Sequence, residues 1–198
     1  MSNIRGKTYA MNAISPMKPW KTWFLRALFL VVGWFPKLNI GLIQLSFIHF
    51  ARWVIVPRHA FPRLSERQPR ENLQYDYLIF FSNFNGTWNQ FIDAFSAVLS
   101  GKLNAIWRWS EKFPGAIPVT PFKNYICRGQ VETDYYYTAY PHATTNDVKA
   151  AHRVQVALDQ LTQNAAKLPP AEFSKAYLQF LVSVQADLGK TGEAPVGV

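Results

Sequence analysis

The sequence is poor in cysteine and in charged residues. Its one cysteine, Cys127, excludes an internal disulfide framework and a metal site built from several cysteines, and it fits a reducing compartment best. Charged residues make up 17% of the 198 residues and hydrophobic residues 49%, which excludes an intrinsically disordered chain and a highly charged coiled coil. A chain of this length folds by default as one domain.

The familiar signatures of catalysis are also missing. The chain contains no G-x-S-x-G elbow, no phosphate-binding P-loop, no G-x-G-x-x-G turn and no H-E-x-x-H motif. Its histidines, carboxylates and cysteine are not closely spaced, so we expect no metal site. The sequence therefore names no reaction and leaves open whether the protein is an enzyme.

Aromatic residues, in contrast, are abundant. Seven Trp, nine Tyr and fifteen Phe make up 16% of the chain, which is more than a core of this size needs. We expect the surplus at an interface, in a ligand pocket or at a membrane boundary, where an aromatic side chain has one apolar end and one wet end.

Positive charge is concentrated in the first third of the chain. Residues 1–70 hold eleven Lys and Arg and one acidic residue, Glu66, a net charge of +10, whereas residues 71–198 have a net charge of −1. The same third carries the longest apolar runs. This combination predicts contact with an anionic surface, either nucleic acid or an acidic lipid leaflet.

The apolar segment between Trp20 and Phe35 favours the lipid surface. Its aromatic and aliphatic side chains leave almost no polar face for reading a duplex, so nucleic acid is disfavoured as a partner. The run is shorter than the roughly 20 apolar residues of a spanning helix, so we expect it to lie on or partly in an anionic membrane. The residues expected to bind the membrane are Lys18, Trp20, Lys21, Trp23, Phe24, Arg26, Phe29, Trp34, Phe35 and Lys37. A core helix with a basic exposed face and an intersubunit helix are the alternatives.

Three apolar runs in the rest of the chain predict β-strands. They span residues 47–56, 77–84 and 135–140, are rich in β-branched and aromatic residues, and each is followed by proline or a turn signal. The first run is apolar on both alternating faces, which is typical of a central strand covered on both sides.

Helices are predicted by their capping residues and apolar spacing. Thr87 and Gln90 form a capping box for a helix that we expect to end at Gly101. Leu103, Ile106 and Trp107 predict another short helix after it. Thr144 or Thr145 is expected to cap another helix, and a last helix precedes a polar tail. A proline-rich loop is expected through Pro114, Pro118 and Pro121. The predicted buried face of the helix that Thr144 or Thr145 caps consists of Val148, Ala151, Val154, Leu158 and Leu161.

These elements predict an α+β fold with a ferredoxin-like sheet and helices on one face. An apolar, basic, membrane-associating N-terminal segment is expected to precede it. The predicted domains are a basic aromatic anchor at 1–46, a ferredoxin-like α+β domain at 47–190 and a flexible tail at 191–198. In this arrangement strands 77–84 and 135–140 lie side by side and parallel.

Parallel strands would place the polar residues that follow them at one sheet edge, beside two helix N-termini where ligands and anions bind. Arg52, in the middle of a strand, needs a carboxylate or a bound anion, because a buried unpaired guanidinium is costly. Turn hydrogen bonds and structural ion pairs are the alternative roles of these polar residues. The candidate ligand-binding residues are Arg52, Ser82, Asn83, Asn85, Trp88, Tyr136 and His142.

Four blocks of the sequence resemble a family of bacterial proteins without an established activity. The resemblance implies that these blocks belong to one domain, and it assigns no catalytic residue. The blocks are IHFARWVIV (48–56), FFSNFNGTWNQFIDAF (80–95), PFKNYI (121–126) and DYYYTAYP (134–141).

At the level of the fold, the chain is also similar to dimeric α/β-barrel proteins such as dye-decolorising peroxidases and chlorite dismutases. Those proteins bind haem against a ferredoxin-like sheet, so the resemblance implies haem as an alternative cofactor. No residue here matches their haem-ligand motif, and His49, His142 and His152 are the histidines available as axial ligands.

We therefore expect a membrane-associated protein that binds or processes an apolar, lipid-derived ligand. It is expected at the cytoplasmic face of the inner membrane, as a peripheral or monotopic protein. One alternative is a haem-dependent, peroxidase-like enzyme acting on lipid-derived substrates. Another is a non-enzymatic subunit that docks on a membrane-protein partner or forms a homodimer.

Overall fold

The computed structural model describes residues 8–35, 45, 47–61, 63, 65–71, 73–140, 143–165 and 167–188. The predicted α+β class is confirmed. In chain order the elements are β1 (Thr8–Met17), α1 (Pro19–Trp34), β2 (Ile48–Val56), β3 (Asp76–Asn85), α2 (Trp88–Trp107), α3 (Val119–Gly129), β4 (Gln130–Val131), α4 (Thr145–Ala165) and α5 (Pro170–Val184), followed by a short 3₁₀ helix at Gln185–Asp187.

The four strands form one antiparallel sheet in the order β2-β3-β1-β4. β1 and β3 pair along their whole length, from Thr8 opposite Asn85 to Met17 opposite Asp76. β2 lies on the outer side of β3, so the prediction that residues 47–56 form a central strand is wrong. β4 adds a short pairing to β1 on the other side.

The sequence pattern did not predict β1, although β1 is a central strand. Its position means that part of the predicted anchor segment, 1–46, contributes a strand to the sheet. The predicted tail, 191–198, lies outside the described residues.

The strand predicted at residues 135–140 is absent. The chain leaves the sheet after Val131, and the side chains of Tyr135, Tyr137 and Tyr140 are exposed. The predicted parallel pairing with residues 77–84 is therefore also wrong, since every pairing in the sheet is antiparallel. A high β propensity forms a strand only where a neighbouring strand accepts its hydrogen bonds.

The capping box of α2 is confirmed, but its predicted end is wrong. The Gln90 backbone N–H donates to Thr87 Oγ1 over 3.2 Å, and the Thr87 N–H donates to Gln90 Oε1 over 3.3 Å. The helix kinks at Leu99 (φ −114°, ψ 16°) and continues to Trp107 instead of ending at Gly101, so the short helix predicted around Leu103 and Ile106 is helical but is part of α2. The kink directly precedes a Ser-Gly pair, which is a common cause of helix kinks.

The two C-terminal helices form a hairpin that buries little. Thr144 caps α4, since its Oγ1 accepts from the Asp147 N–H over 3.2 Å while the Asp147 carboxylate accepts from the Thr144 N–H over 2.7 Å. The predicted buried stripe of α4 is wrong, because none of its side chains is buried. The loop expected before this region instead contains the helix α3, which buries Phe122 and Ile126.

Aromatic side chains from the sheet and from α2 fill the core. Ring centroids lie 4.2 Å apart for Phe84 and Phe91, and 5.3 Å apart for Phe80 and Trp107. α1 and α3 contribute to the same cluster of buried residues.

Two local contacts fix α1 and β4 on this core. At the start of α1, Thr22 Oγ1 donates to the buried Asp76 Oδ2 over 2.6 Å. At the start of β4, Gly129 lies so close to β1 that a Cβ there would overlap the Ile14 carbonyl oxygen.

Candidate functional site

Helix α1 carries apolar side chains on two opposite faces. Its inner face packs on the core: Leu25 is buried, and the Phe29 ring centroid lies 6.4 Å from that of Trp53. Its outer face is exposed and follows helical spacing. The outer face consists of Trp20, Trp23, Phe24, Ala27, Leu30, Val31 and Trp34. Contiguous exposed apolar surface of this kind marks an interaction site.

Cationic side chains surround the N-terminal end of the outer face, and α1 itself has no acidic residue. Phe24 stacks on Trp109 with ring centroids 5.1 Å apart, and the Arg108 guanidinium carbon lies 5.3 Å from the centroid of Trp109. Lys21 Nζ lies 3.0 Å from Glu111 Oε1, which ties α1 to the segment after α2.

The structure places most of the predicted membrane-binding residues on the exposed surface of α1 and its ends. Phe29 differs, since it belongs to the inner face, and Lys37 lies outside the described residues. Lys21 is half-buried. The exposed members of the set are Lys18, Trp20, Trp23, Phe24, Arg26, Trp34 and Phe35.

A cavity of about 560 Å³ lies between the inner face of α1, strand β2 and helix α2; we refer to it as the α1–β2–α2 cavity. Its volume lies within the range of pockets that bind small molecules. The kink of α2 at Leu99 is part of its wall. The lining residues are Leu28, Phe29 and Val32 of α1, Ile48, His49, Phe50, Ala51 and Trp53 of β2, and Phe95, Leu99, Lys102, Leu103, Ala105 and Ile106 of α2.

Three side chains bring polar atoms to this apolar cavity. Lys102 is half-buried and makes no ion pair with any described residue. The Trp53 Nε1–H is buried and has no hydrogen-bond partner in the described part of the chain, which is unusual for a buried donor.

The third polar side chain of the cavity is His49. Its Nε2 lies 3.3 Å from Thr8 Oγ1. Burial lowers the pKa of His49, and a hydrogen bond with the Asn85 side chain opposes this effect without cancelling it. The net effect of its surroundings is to disfavour the charged form of His49.

Three of the predicted ligand-binding residues lie on the face of the sheet that points away from the cavity. The Arg52 side chain is exposed, with its guanidinium carbon 4.7 Å from the centroid of the Phe81 ring, so it meets its predicted need for a partner without an anion. Asn83 Nδ2 donates to the Tyr136 hydroxyl, and these two are the predicted residues that the structure brings into contact.

The other predicted ligand-binding residues make hydrogen bonds inside the fold. Ser82 Oγ donates to the Phe50 carbonyl over 3.0 Å, and Trp88 Nε1 donates to Gln130 Oε1 over 2.9 Å. His142 lies outside the described residues.

Asn85 joins three elements. Its Nδ2 donates to Thr8 Oγ1 over 3.1 Å, and its Oδ1 accepts from the Thr145 backbone N–H over 3.1 Å at the start of α4. Of the six predicted ligand-binding residues that the structure describes, none lines the α1–β2–α2 cavity.

The reasoning from sequence missed this cavity because its walls contain no motif. The sequence of α1 does indicate two apolar faces, because its apolar residues occupy all sides of the helix rather than one stripe. One face packs on the core, and the opposite face stays exposed.

A second cavity, of about 490 Å³, lies between β1, α3 and the segment after α2. Its lining mixes Glu111 with Lys112 and Arg128. The Tyr125 hydroxyl at this cavity is buried without a well-formed hydrogen bond. Burial raises the pKa of Tyr125, and the nearby hydroxyls of Ser15 and Ser110 oppose the rise.

Within the described residues, no group of three His, Cys, Asp or Glu side chains is placed to hold a metal ion. None of the described helices is both long enough and apolar enough to cross a membrane. No family model, curated protein or solved structure matches the chain.

Proposed function

We propose that this protein lies on an anionic membrane through the outer face of α1 and binds an apolar, lipid-derived ligand in the α1–β2–α2 cavity. The observation that carries the proposal is the use of both faces of one helix. The outer face exposes a row of aromatic and aliphatic side chains, while Leu28, Phe29 and Val32 on the inner side line the cavity. A molecule that leaves the bilayer would have only the width of α1 to travel.

The residues around the outer face suit a membrane interface. Tryptophan rings favour the boundary between headgroups and hydrocarbon, and Lys and Arg side chains extend their charges toward the headgroups. Lys18, Arg26 and Arg108 are exposed at or beside this face, and each basic residue near an anionic surface contributes about 1 kcal/mol. The single cysteine leads us to propose the cytoplasmic leaflet of the inner membrane as the surface.

The form of the sheet supports a ferredoxin-like fold as part of the proposal. The units β1–α1–β2 and β3–α2–α3–β4 interleave, so that the strand order reads β4-β1-β3-β2. This likeness describes architecture and carries no activity, since unrelated functions share the fold. Membership in the bacterial family that the sequence blocks resemble stays part of this proposal.

Vesicle flotation tests the membrane contact. Trp23 and Trp34 are 76% and 77% exposed, so changing both to Glu removes aromatic surface without touching the core. We expect the native chain to float with anionic vesicles, less so at high salt, and the Trp23→Glu/Trp34→Glu variant to lose most of this binding. The matched control is Tyr135→Glu/Tyr137→Glu, which makes the same charge change at side chains that are 81% and 73% exposed.

Three outcomes would contradict the proposal. A native chain that does not float with protein-free vesicles, but does so when membrane proteins are present, would indicate the docking subunit instead. Equal loss in both double variants would mean that added negative charge, rather than the outer face of α1, controls binding. A Soret band in the purified protein would favour the haem-dependent alternative.

A further inference from the structure

We propose that the ligand of the α1–β2–α2 cavity is a single-chain anionic amphiphile whose charged group binds Lys102. This inference rests on the function proposed above for the same cavity and adds the chemistry of the ligand. It also moves the anion-binding role from Arg52, where the sequence placed it, to a lysine on the opposite side of β2.

The charges around the cavity select an anion. The fourteen lining residues include no Asp or Glu, and Lys102 is the one residue among them with a permanent positive charge. The single carboxylate of α2, Asp93, is occupied by Lys123 at 2.7 Å. Lys102 is therefore a half-buried lysine at an apolar wall, and it lacks an ion-pair partner among the described residues.

The other polar groups of the cavity are compatible with an anion and do not replace Lys102. Burial lowers the pKa of His49, which disfavours its charged form. Trp53 also lines the cavity, and its buried N–H has no hydrogen-bond acceptor among the described residues. Neither group repels a carboxylate or a phosphate, and neither attracts a cation.

The size and lining of the cavity select a single apolar chain. About 560 Å³ suits one drug-sized ligand, which is smaller than a two-chain lipid. Apart from His49 and Lys102, the lining consists of aliphatic and aromatic residues, so the ligand gains most of its affinity from apolar burial. The charge on Lys102 then fixes which end of the chain lies at the α2 side.

Arg52 provides an internal control. Successive side chains of a strand point to opposite faces, so Arg52 points away from the cavity that its neighbours Ala51 and Trp53 line. Arg52 and Lys102 therefore allow the same change, a basic residue to Met, to be made on the two sides of the sheet.

The experiment compares ligands of equal chain length in the absence of vesicles. Laurate, dodecanol and dodecylamine are titrated below their aggregation concentrations, with binding followed by calorimetry. We expect laurate to bind about five- to tenfold more tightly than dodecanol, as for a partly solvated ion pair, and dodecylamine to bind most weakly. Dodecyl phosphate as a fourth ligand distinguishes recognition of charge from recognition of a carboxylate.

The Lys102→Met variant keeps the length of the side chain and removes its charge. We expect it to bind laurate and dodecanol equally, with the affinity for dodecanol unchanged, and Arg52→Met to keep the native preference. If Lys102→Met does not fold, as judged by circular dichroism, Lys102→Gln replaces it.

Two results would overturn this inference in distinguishable ways. Equal binding of laurate and dodecanol to the native chain, or a preference that survives Lys102→Met, would refute the role of Lys102 and leave the apolar cavity as a binding site. No binding of any amphiphile would refute the cavity function itself. Flotation of the same preparation reports separately on the membrane contact.

Discussion

The sheet with α1 to α3 and the hairpin of α4 and α5 differ in what covers their apolar residues. In the first region, Phe80, Phe95 and Trp107 are almost completely buried in one cluster. In the described part of the hairpin, Val184 is the one fully buried hydrophobic residue, while Val148 and Leu158 are exposed. Apolar spacing thus predicts a helix in both regions, but burial requires a facing surface, and the described residues offer none large enough to cover the stripe of α4.

The largest expected effect is the loss of stability when a buried Phe of the sheet region is changed to Ala, and the same change in the hairpin provides the comparison. Phe80→Ala removes a ring that packs 5.1 Å from Trp53 and 5.7 Å from Phe95, so we expect the free energy of unfolding to fall by about 3–5 kcal/mol. Phe180→Ala, on the half-buried side of α5, is expected to cost about 1 kcal/mol. Urea denaturation measures both values.

Similar losses for the two variants would mean that the hairpin is as well packed as the core, and the contrast between the regions would be wrong. Because Phe80→Ala removes much of the stability of a typical domain, Phe80→Leu serves as a milder version of the same test.

A smaller effect is expected at the junction between the two regions. Asn85→Ala leaves the Thr145 backbone N–H without its side-chain acceptor and takes a donor from Thr8, at a cost of about 1–3 kcal/mol. We expect hydrogen exchange to accelerate in the first turn of α4. Asn164→Ala is the control, since the Asn164 side chain donates to the Gln160 carbonyl on the exposed surface of α4. Unchanged protection in Asn85→Ala would show that other contacts hold the hairpin in place.

The smallest expected effect is a change in pH dependence at His49. Because its pKa in the folded protein lies below the ordinary value of 6.5, the unfolded chain binds more protons as the pH falls through 6.5. The free energy of unfolding should therefore decrease over that range and level off below the pKa of the folded state. His49→Gln should remove this contribution, and a denaturation series from pH 8 to pH 5 gives the comparison at about one-unit steps. An identical pH dependence of the free energy of unfolding in the native chain and in His49→Gln would contradict this prediction.

Local signals in the sequence predicted local structure well. The capping box at Thr87 and the cap at Thr144 or Thr145 were predicted because the residues that satisfy a helix N-terminus lie within one turn of each other, and the structure shows Thr144 as the cap. The strands β2 and β3 were found from their β-branched and aromatic runs. In each case the information lies within about ten residues.

Features that depend on distant partners were not predicted. β1 was missed because its buried face uses Met11, Ala13 and Ser15, which do not alternate strongly with their neighbours, and it becomes a strand by pairing with β3. The tyrosine-rich run at 135–140 was predicted as a strand and is not one. It has strand propensity but no pairing partner in the described sheet.

The candidate site was predictable only in part. The exposed face of α1 could be anticipated from composition and charge, whereas the α1–β2–α2 cavity required knowing which face of each element points inward. Polar residues at strand ends were predicted to bind the ligand. Several of them, such as Ser82 and Asn85, instead make hydrogen bonds that hold elements together.

Two glycines show how unequal the mutational tolerance of this chain is. At Gly101, on the exposed side of α2, an added methyl group would meet no atom within 4 Å, so many residues could replace it during evolution. At Gly129 the same methyl group would overlap the backbone of β1, and even alanine would push the start of β4 away from its pairing partner. Both positions hold glycine, but Gly101 tolerates other residues, whereas glycine at position 129 is needed for β4 to pair with β1 at the edge of the sheet.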